Sequence, residues 1–163
     1  MIRRFLVPLV ALFFASSMAS AAQGVASDGA AQPIALHGDV KLVRTVTENG
    51  QEKQLLVEPK SVVPGDRLLF STSYSNVGAQ PINNVVVTNP LPSAVEISAQ
   101  SAAELTVSVD GGKHWGRIAG LTVADGKGGQ RPAQAADVTH IRWIIPVVAP
   151  GASGTVSYNG IVR

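Results

Sequence analysis

RLLFSTSYSN, residues 67–76, is the stretch that decides the fold. Apolar side chains alternate along it with hydroxyl side chains, so that Leu68, Phe70 and Tyr74 share one face and serines occupy the other. Alternation with a period of two residues is typical of a β-strand that has one buried face and one solvated face. The stretch therefore predicts a strand whose apolar face packs against a core.

Similar runs flank this strand on both sides. They start at Val40, continue to the C-terminus and are separated by turn residues, among them Asn49-Gly50, a strong hairpin signal, and Pro150-Gly151. No run after residue 21 has a convincing stripe of apolar residues at helical spacing, although residues 94–105 do not clearly favour either a helix or a strand. Eight or nine short strands at this spacing predict an all-β fold, namely an immunoglobulin-like sandwich of two antiparallel sheets.

The N-terminus has the layout of a secretory signal peptide. Residues 1–4 are short and basic, residues 5–14 are apolar, and Ala19 and Ala21 obey the small-x-small rule of signal peptidase. The apolar run is about half as long as the ~20 residues that a membrane-spanning helix needs. We therefore expect cleavage before Ala22, export to the periplasm or the extracellular space, and no membrane span after processing.

The chain thus divides into a signal peptide, residues 1–21, a flexible leader, residues 22–37, and a sandwich domain, residues 38–163. The leader is rich in Ala, Gly, Gln and Ser and shows no periodicity.

The chain has 13 Lys and Arg against 11 Asp and Glu, and Arg3 and Arg4 leave with the signal, so the charges of the mature chain balance. Nucleic acid binding, which needs a sustained positive surface, is not expected. The lack of cysteine excludes disulfides and thiol chemistry.

A set of short motifs is spread over residues 40–163: Val63-Pro64-Gly65-Asp66, Phe70, Asn76 with Gly78, Asn84-Val85-Val86-Val87-Thr88, Leu91-Pro92, Ala149-Pro150-Gly151, and Val156 with Tyr158. Together they resemble the bacterial conserved-repeat domain of surface proteins, a family of unknown function with an immunoglobulin-like sandwich. The resemblance implies a module of extracellular or envelope proteins with no enzymatic role. Asn89 departs from the pattern, since the family often has an acidic residue before the Leu-Pro step. The chain also holds one copy of the domain and shows no sorting motif.

One turn has the residues of a known folding element. Ser108, Asp110, Gly112, His114 and Trp115 nearly match the aspartate-box hairpin of propeller-type sialidases and related proteins. In such a hairpin the Asp side chain accepts backbone N–H bonds within the turn, and the Trp packs beneath it. A propeller would repeat the motif at intervals of roughly 40 to 50 residues, and this chain has it once. We therefore predict a structural turn with no catalytic role.

The sequence offers no convincing active site. His37, His114 and His140 lack the spacing of metal ligands. Residues 151–154, Gly-Ala-Ser-Gly, lack the spacing of a nucleophile elbow. We expect no catalytic residue, no metal and no cofactor, and a small hydrolase is the remotest alternative.

The preferred hypothesis is an exported, non-catalytic structural or interaction module of the bacterial cell envelope or surface. A free sheet edge invites pairing with another strand. The first hairpin, residues 40–59, and the last strand are expected at such edges, and the last strand carries no Lys or Pro as a guard. We therefore expect contact with an envelope or surface protein, or with a second copy, through Thr155, Ser157 and Asn159.

The alternative hypothesis is a module that binds a carbohydrate or a peptide through loops. Its candidates are Trp115, the one aromatic residue near a turn, and the polar, glycine-containing loop of residues 125–137. The other aromatic side chains of the domain lie on alternating strands and are expected in the core. Phe70 and Trp143 in particular lie mid-strand on apolar faces, so we expect both to be buried.

Overall fold

The computed structural model describes residues 33–163. The predicted signal peptide, its cleavage residues Ala19, Ala21 and Ala22, and most of the predicted leader lie outside the described residues. The described part contains ten strands and one short α-helix: β1 Ile34–Glu48, β2 Gln51–Val57, β3 Arg67–Asn76, β4 Ile82–Pro90, β5 Val95–Ile97, α1 Ala99–Glu104, β6 Thr106–Ser108, β7 Thr122–Ala124, β8 Gln130–Pro132, β9 His140–Val148 and β10 Ser153–Val162. No helix in residues 33–163 is long and apolar enough to cross a membrane.

Two antiparallel sheets form the sandwich. The large sheet has the strand order β2-β1-β3-β10-β5, and the small sheet has the order β4-β9-β6. Strands β7 and β8 form a separate hairpin. The predicted all-β antiparallel sandwich is confirmed, with ten strands in the described residues instead of eight or nine.

The stretch that predicted the fold is the central strand of the large sheet. β3 pairs with β1 on one side and with β10 on the other. Leu68 and Thr72 are buried, whereas Ser73 on the opposite face is exposed. The predicted alternation of a dry and a wet face is therefore confirmed.

The core consists of three clusters of buried side chains. The first contains Ile97, Ala102, Val107, Val138, Ile141 and Tyr158, the second Leu42, Leu68, Val95 and Val162, and the third Val85, Val87 and Val148. Every cluster combines residues that are far apart in sequence. Burial of these apolar side chains is the main driving force for folding.

The aromatic residues are buried to different extents, and the expected core position is confirmed for Tyr158. Tyr158 is buried, with 3% of its surface exposed, and its ring stacks on Phe70 with the two centroids 4.8 Å apart. Phe70 and Trp143 are only half-buried, so the expectation that both are fully buried is wrong. Phe70 borders an open groove, and Trp143 packs against both the first and the third cluster without being enclosed by either.

The domain begins earlier than predicted. β1 starts at Ile34, which pairs with Asn76 of β3, so residues 34–37 belong to the large sheet and not to the leader. His37 at the end of this segment and Gly38 directly after it interrupt the apolar pattern, which is why the alternation there does not reveal a strand. The ambiguous residues 94–105 contain the short strand β5 followed by helix α1.

Two of the family-like motifs shape turns. The Asp66 carboxylate accepts a hydrogen bond from the Val63 backbone N–H at 2.9 Å, and Gly65 within this turn has a φ of 92°. The Asn76 side chain, with 1% of the residue exposed, donates to the backbone carbonyls of Gln80 and Val148 at 2.7 and 2.9 Å. Both motifs therefore have a structural explanation in this chain.

Candidate contact surface

The first hairpin forms an arm that extends past its neighbouring strand. β1 pairs with β3 only from Ile34 to Val43, whereas its pairing with β2 runs from Leu42 to Glu48. Residues 44–57, here called the β1–β2 arm, are therefore largely a two-stranded ribbon. The predicted Asn-Gly turn closes it, with φ values of 53° at Asn49 and 77° at Gly50. Such positive values are those of the type I′ turn that suits two-residue hairpins.

Two ion pairs hold the arm in place. The Arg44 guanidinium lies 3.2 Å from the Asp66 carboxylate at the base of the arm. Lys53 lies 3.4 Å from Glu48 across the two strands near its tip. The Lys53–Glu48 pair is exposed on both sides and contributes little to stability, whereas the Asp66 side chain of the pair at the base is only 9% exposed.

The arm exposes apolar side chains. Leu55 and Leu56 have 44% and 51% of their surfaces exposed, and Val46 has 38%. Among the described residues β2 pairs with β1 alone, so the other side of β2 is a free sheet edge. The prediction that the first hairpin lies at an edge is confirmed for β2. A free edge combined with exposed apolar residues is a common feature of protein–protein contact sites.

A groove lies beside this arm, between β1 and the end of β4. Its volume is ≈ 490 Å³, and its floor includes the stacked rings of Phe70 and Tyr158. A second depression of ≈ 320 Å³ shares Val40, Pro59 and Phe70 with it. Burial raises the pKa of the Tyr158 hydroxyl to about 12, so this group stays protonated in the groove at neutral pH.

Charged and amide side chains border the groove. Lys41 contacts both Asp39, at 3.4 Å, and Glu58. Its pKa is raised, mainly by the hydrogen bond to Glu58. Asn89, which departs from the family pattern, donates from its amide to the Thr72 hydroxyl at 2.7 Å and so links the two sheets.

The predicted edge at the last strand is largely wrong. β10 lies between β3 and β5 and is thus an inner strand of the large sheet. The backbone of Asn159 is already paired, since its N–H donates to the Ser101 hydroxyl and its C=O accepts from the Ser98 N–H. The sequence did not reveal this because β5, the strand that covers the edge, is only three residues long.

Part of that edge remains open. β5 pairs only with residues 160–162 of β10. Thr155 and Ser157 lie beyond its reach, with their side chains exposed on the outer face of the large sheet, where the Thr155 hydroxyl lies 3.2 Å from that of Ser73. These two residues therefore belong to a polar surface, whereas the β1–β2 arm exposes apolar side chains.

The aspartate-box-like turn forms as predicted. One Asp110 carboxylate oxygen accepts the backbone N–H groups of Lys113 and His114 at 3.1 and 3.0 Å, and it also accepts the Ser108 hydroxyl at 2.8 Å. The other oxygen lies 2.5 Å from Nδ1 of His114. The hydrogen bond from the His114 backbone, followed by that from its side chain, holds the pKa of Asp110 well below its ordinary value. The His114 side chain is 84% exposed, so this acid–histidine pair stabilises a surface turn.

Trp115 is tied into the same turn and does not present an open ring. Its indole N–H donates to the Gly112 carbonyl at 2.8 Å, and the residue is half-buried. The guanidinium carbon of Arg142 lies 3.8 Å from the ring centroid and covers one face. A sugar would need such a ring face for stacking, so the geometry weakens the proposed role of Trp115. The sequence did not suggest that Arg142 covers the Trp115 ring, because Arg142 lies in β9, which is distant from the turn in sequence.

The predicted polar loop of residues 125–137 is largely ordered structure. It contains β8 and the turn between β7 and β8, in which the Asp125 carboxylate accepts the N–H groups of Lys127 and Gly129. Arg131 makes a two-fold hydrogen bond with Asp137, both distances being 2.7 Å. Arg131 thereby lowers the pKa of Asp137. Asp125 is thus bound to the backbone of its own turn, and Arg131 and Asp137 are bound to each other.

The chain has no match among known proteins that would identify its site. No family model, no curated protein and no solved structure matches it. Within residues 33–163 no three His, Asp or Glu side chains lie together as metal ligands would. The resemblance to conserved-repeat domains therefore stays a prediction, and the β1–β2 arm is the main candidate site.

Proposed function

We propose that this chain is an exported, non-catalytic contact module of the bacterial cell envelope or surface, of the kind that conserved-repeat domains represent. The single observation that carries the proposal is the β1–β2 arm, which combines a free sheet edge with exposed leucines. An isolated strand edge offers backbone hydrogen bonds, and apolar side chains beside it offer burial. A protein partner can use both at once.

Three carboxylates and one histidine of the described residues have structural roles. Asp110 and His114 hold each other in an exposed turn, Asp137 is bound to Arg131, and Asp66 closes the turn before β3. Their carboxylates are occupied by donors from the same domain. This arrangement supports contact, and not catalysis, as the function of the fold.

The proposal is tested by site-specific cross-linking in the exporting cell, followed by fractionation of periplasm, envelope and medium. A photo-activatable residue at Leu55 is compared with one at Val77, which is 71% exposed but lies in the loop after β3. We expect a discrete product from position 55 and none from position 77. Products of equal intensity from both positions, or none from either, would remove the arm as the contact site.

The groove beside the arm favours a second candidate, the binding of an extended peptide. Its apolar floor and its mixed polar rim are the features of a peptide site, and they lie away from the loops that the sequence suggested. Substitution of Val40 by Lys would fill the groove without touching Leu55. If a peptide selected for binding to the domain keeps its affinity for this variant, the groove is not its site.

A further inference from the structure

We propose that the partner of the β1–β2 arm is a second copy of this chain, with the two β2 strands paired antiparallel about a two-fold axis at Leu56. This inference rests on the proposed contact function and names the partner. It follows from three properties of β2: the direction of its free backbone groups, the position of its apolar residues and the position of its charges.

The backbone groups that face outward can be assigned from the hairpin. In a two-residue hairpin the residues that flank the turn, here Glu48 and Gln51, form a hydrogen-bonded pair. The backbone N–H and C=O groups of successive residues then point to opposite edges of the strand. Those that point toward β1 belong to Gln51, Lys53, Leu55 and Val57. Glu52, Gln54 and Leu56 direct their N–H and C=O groups away from it. An antiparallel copy centred on Leu56 places outward groups opposite outward groups.

The apolar residues of β2 occupy only its second half. Residues 51–54 are polar, whereas residues 55–57 are Leu, Leu and Val. With the axis at Leu56, this leucine lies opposite its own counterpart, and Leu55 lies opposite Val57 of the second copy. Cross-strand apolar pairs of this kind stabilise sheets by about 0.2–1 kcal/mol each, and here they would bury leucines that are now about half exposed.

The side chains disfavour the neighbouring registers, and an axis at Val57 would place the apolar Leu56 opposite the charged Glu58. An axis at Lys53 places Lys53 opposite Lys53, and an axis at Leu55 places Glu52 opposite Glu58, both of which are like-charge pairs. An axis at Gln54 places the charged Glu52 and Lys53 opposite leucines. The axis at Leu56 pairs Gln54 with Glu58 and keeps every like charge apart.

The strand also lacks the usual protection against such pairing. No proline occurs within β2, and its single lysine, Lys53, is held by Glu48 of its own arm. Proline and free lysine are the common guards of sheet edges. The edge is thus open, and its sequence is self-complementary in one register.

The lack of cysteine in the chain allows a direct test. Residues in a hydrogen-bonded antiparallel pair have Cα atoms about 5.5 Å apart, a distance that a disulfide spans. Under mild oxidation Leu56→Cys should form a disulfide-linked dimer. The matched control is Thr45→Cys, an exposed residue on the adjacent strand of the arm that shares a face with Leu56; it should stay reduced. Equal cross-linking of both variants would overturn the proposed register.

The oligomeric state provides the second measurement. Light scattering should show a dimer for the mature protein, and Leu56→Lys, which places two like charges at the axis, should weaken the dimer at least about tenfold. Thr45→Lys should leave it unchanged. A monomeric wild-type protein overturns the inference, and a cross-link from position 55 to a different protein would then leave the contact function standing.

Discussion

Single side chains in this domain mostly organise backbone. Asn76 donates from a buried position to the nearby Gln80 carbonyl and to the Val148 carbonyl, which is distant in sequence, and Asn89 connects the two sheets through the Thr72 hydroxyl. Tyr158 fills the centre of the first core cluster while its ring stacks on Phe70. The amide side chains thus donate hydrogen bonds that hold the fold together, and the aromatic rings pack in its core.

Replacing Asn76 should be among the costliest polar substitutions. Asn76→Ala removes the side-chain donor to the buried Val148 carbonyl and to the more exposed Gln80 carbonyl, and we expect a loss of about 1–3 kcal/mol in the free energy of unfolding. Asn76→Asp should cost more, because a carboxylate would face two carbonyl oxygens. Urea denaturation measures both, with the exposed Asn83→Ala as the control, expected within about 0.5 kcal/mol of wild type. Equal losses for Asn76→Ala and the control would contradict the proposed role.

Truncating the buried ring should cost more than truncating the half-buried ones. Tyr158→Ala is expected to lower the free energy of unfolding by about 3–5 kcal/mol, because it opens a cavity in the first cluster. Tyr158→Phe keeps the stacking with Phe70 and should stay within about 1 kcal/mol of wild type. Denaturant melts of these variants and of Phe70→Ala should therefore rank Tyr158→Ala first. A larger loss for Phe70→Ala would mean that the groove beside it is closed in solution.

At the scale of elements, strand length decides which edges are open. β1 is 15 residues long, more than β3 can cover, so its last third, residues 44–48, projects with β2 as the arm. β5 has three residues, too few to cover the length of β10. The short turns are strengthened by local side chains, as in the turn around Asp110.

The Asp110 turn should make stability depend on pH in acid. Hydrogen bonds from His114 lower the pKa of Asp110 in the folded state below that of the unfolded chain. The carboxylate therefore stabilises the fold fully above the unfolded pKa of about 3.9, and this contribution is lost as the pH falls toward the folded pKa. We expect Asp110→Asn to lower the melting temperature at pH 7, with the difference from wild type shrinking below about pH 4. A difference that is constant from pH 7 to pH 2.5 would rule out the ionised carboxylate as its source.

For the whole molecule, the two sheets differ in width. Five strands of the large sheet face three strands of the small sheet, and the groove lies beside the end of β4, the outer strand of the small sheet. The groove therefore lies where the wider sheet extends past the narrower one, whereas the arm results from the length of β1. Both features are the surfaces on which the proposed contact function rests.

Export can be tested on the whole chain. We expect the mature protein to begin at Ala22, or at Gln23 if the peptidase cleaves one residue later, because Ala19 and Ala21 form the small-x-small site. The intact mass of the protein recovered from periplasm or medium measures this directly. A mature species that still contains residues 5–14 would show a retained membrane anchor. An Ala21→Arg variant is the control and should accumulate unprocessed.

The sequence by itself determined the fold class, the strand β3 with its two faces, the Asn-Gly hairpin and the aspartate-box-like turn. These features depend on neighbours within a few residues, and period-two alternation and turn chemistry are local. Only the tertiary structure decided that β10 lies inside the large sheet, that Phe70 and Trp143 are half-buried and that Arg142 covers Trp115. Each of these depends on which distant strand lies alongside, and strand pairing over long sequence separations leaves no local pattern. The sequence predicted that the first hairpin lies at a sheet edge, but only the tertiary structure decided how far the arm projects, because that depends on how much of β1 is covered by β3.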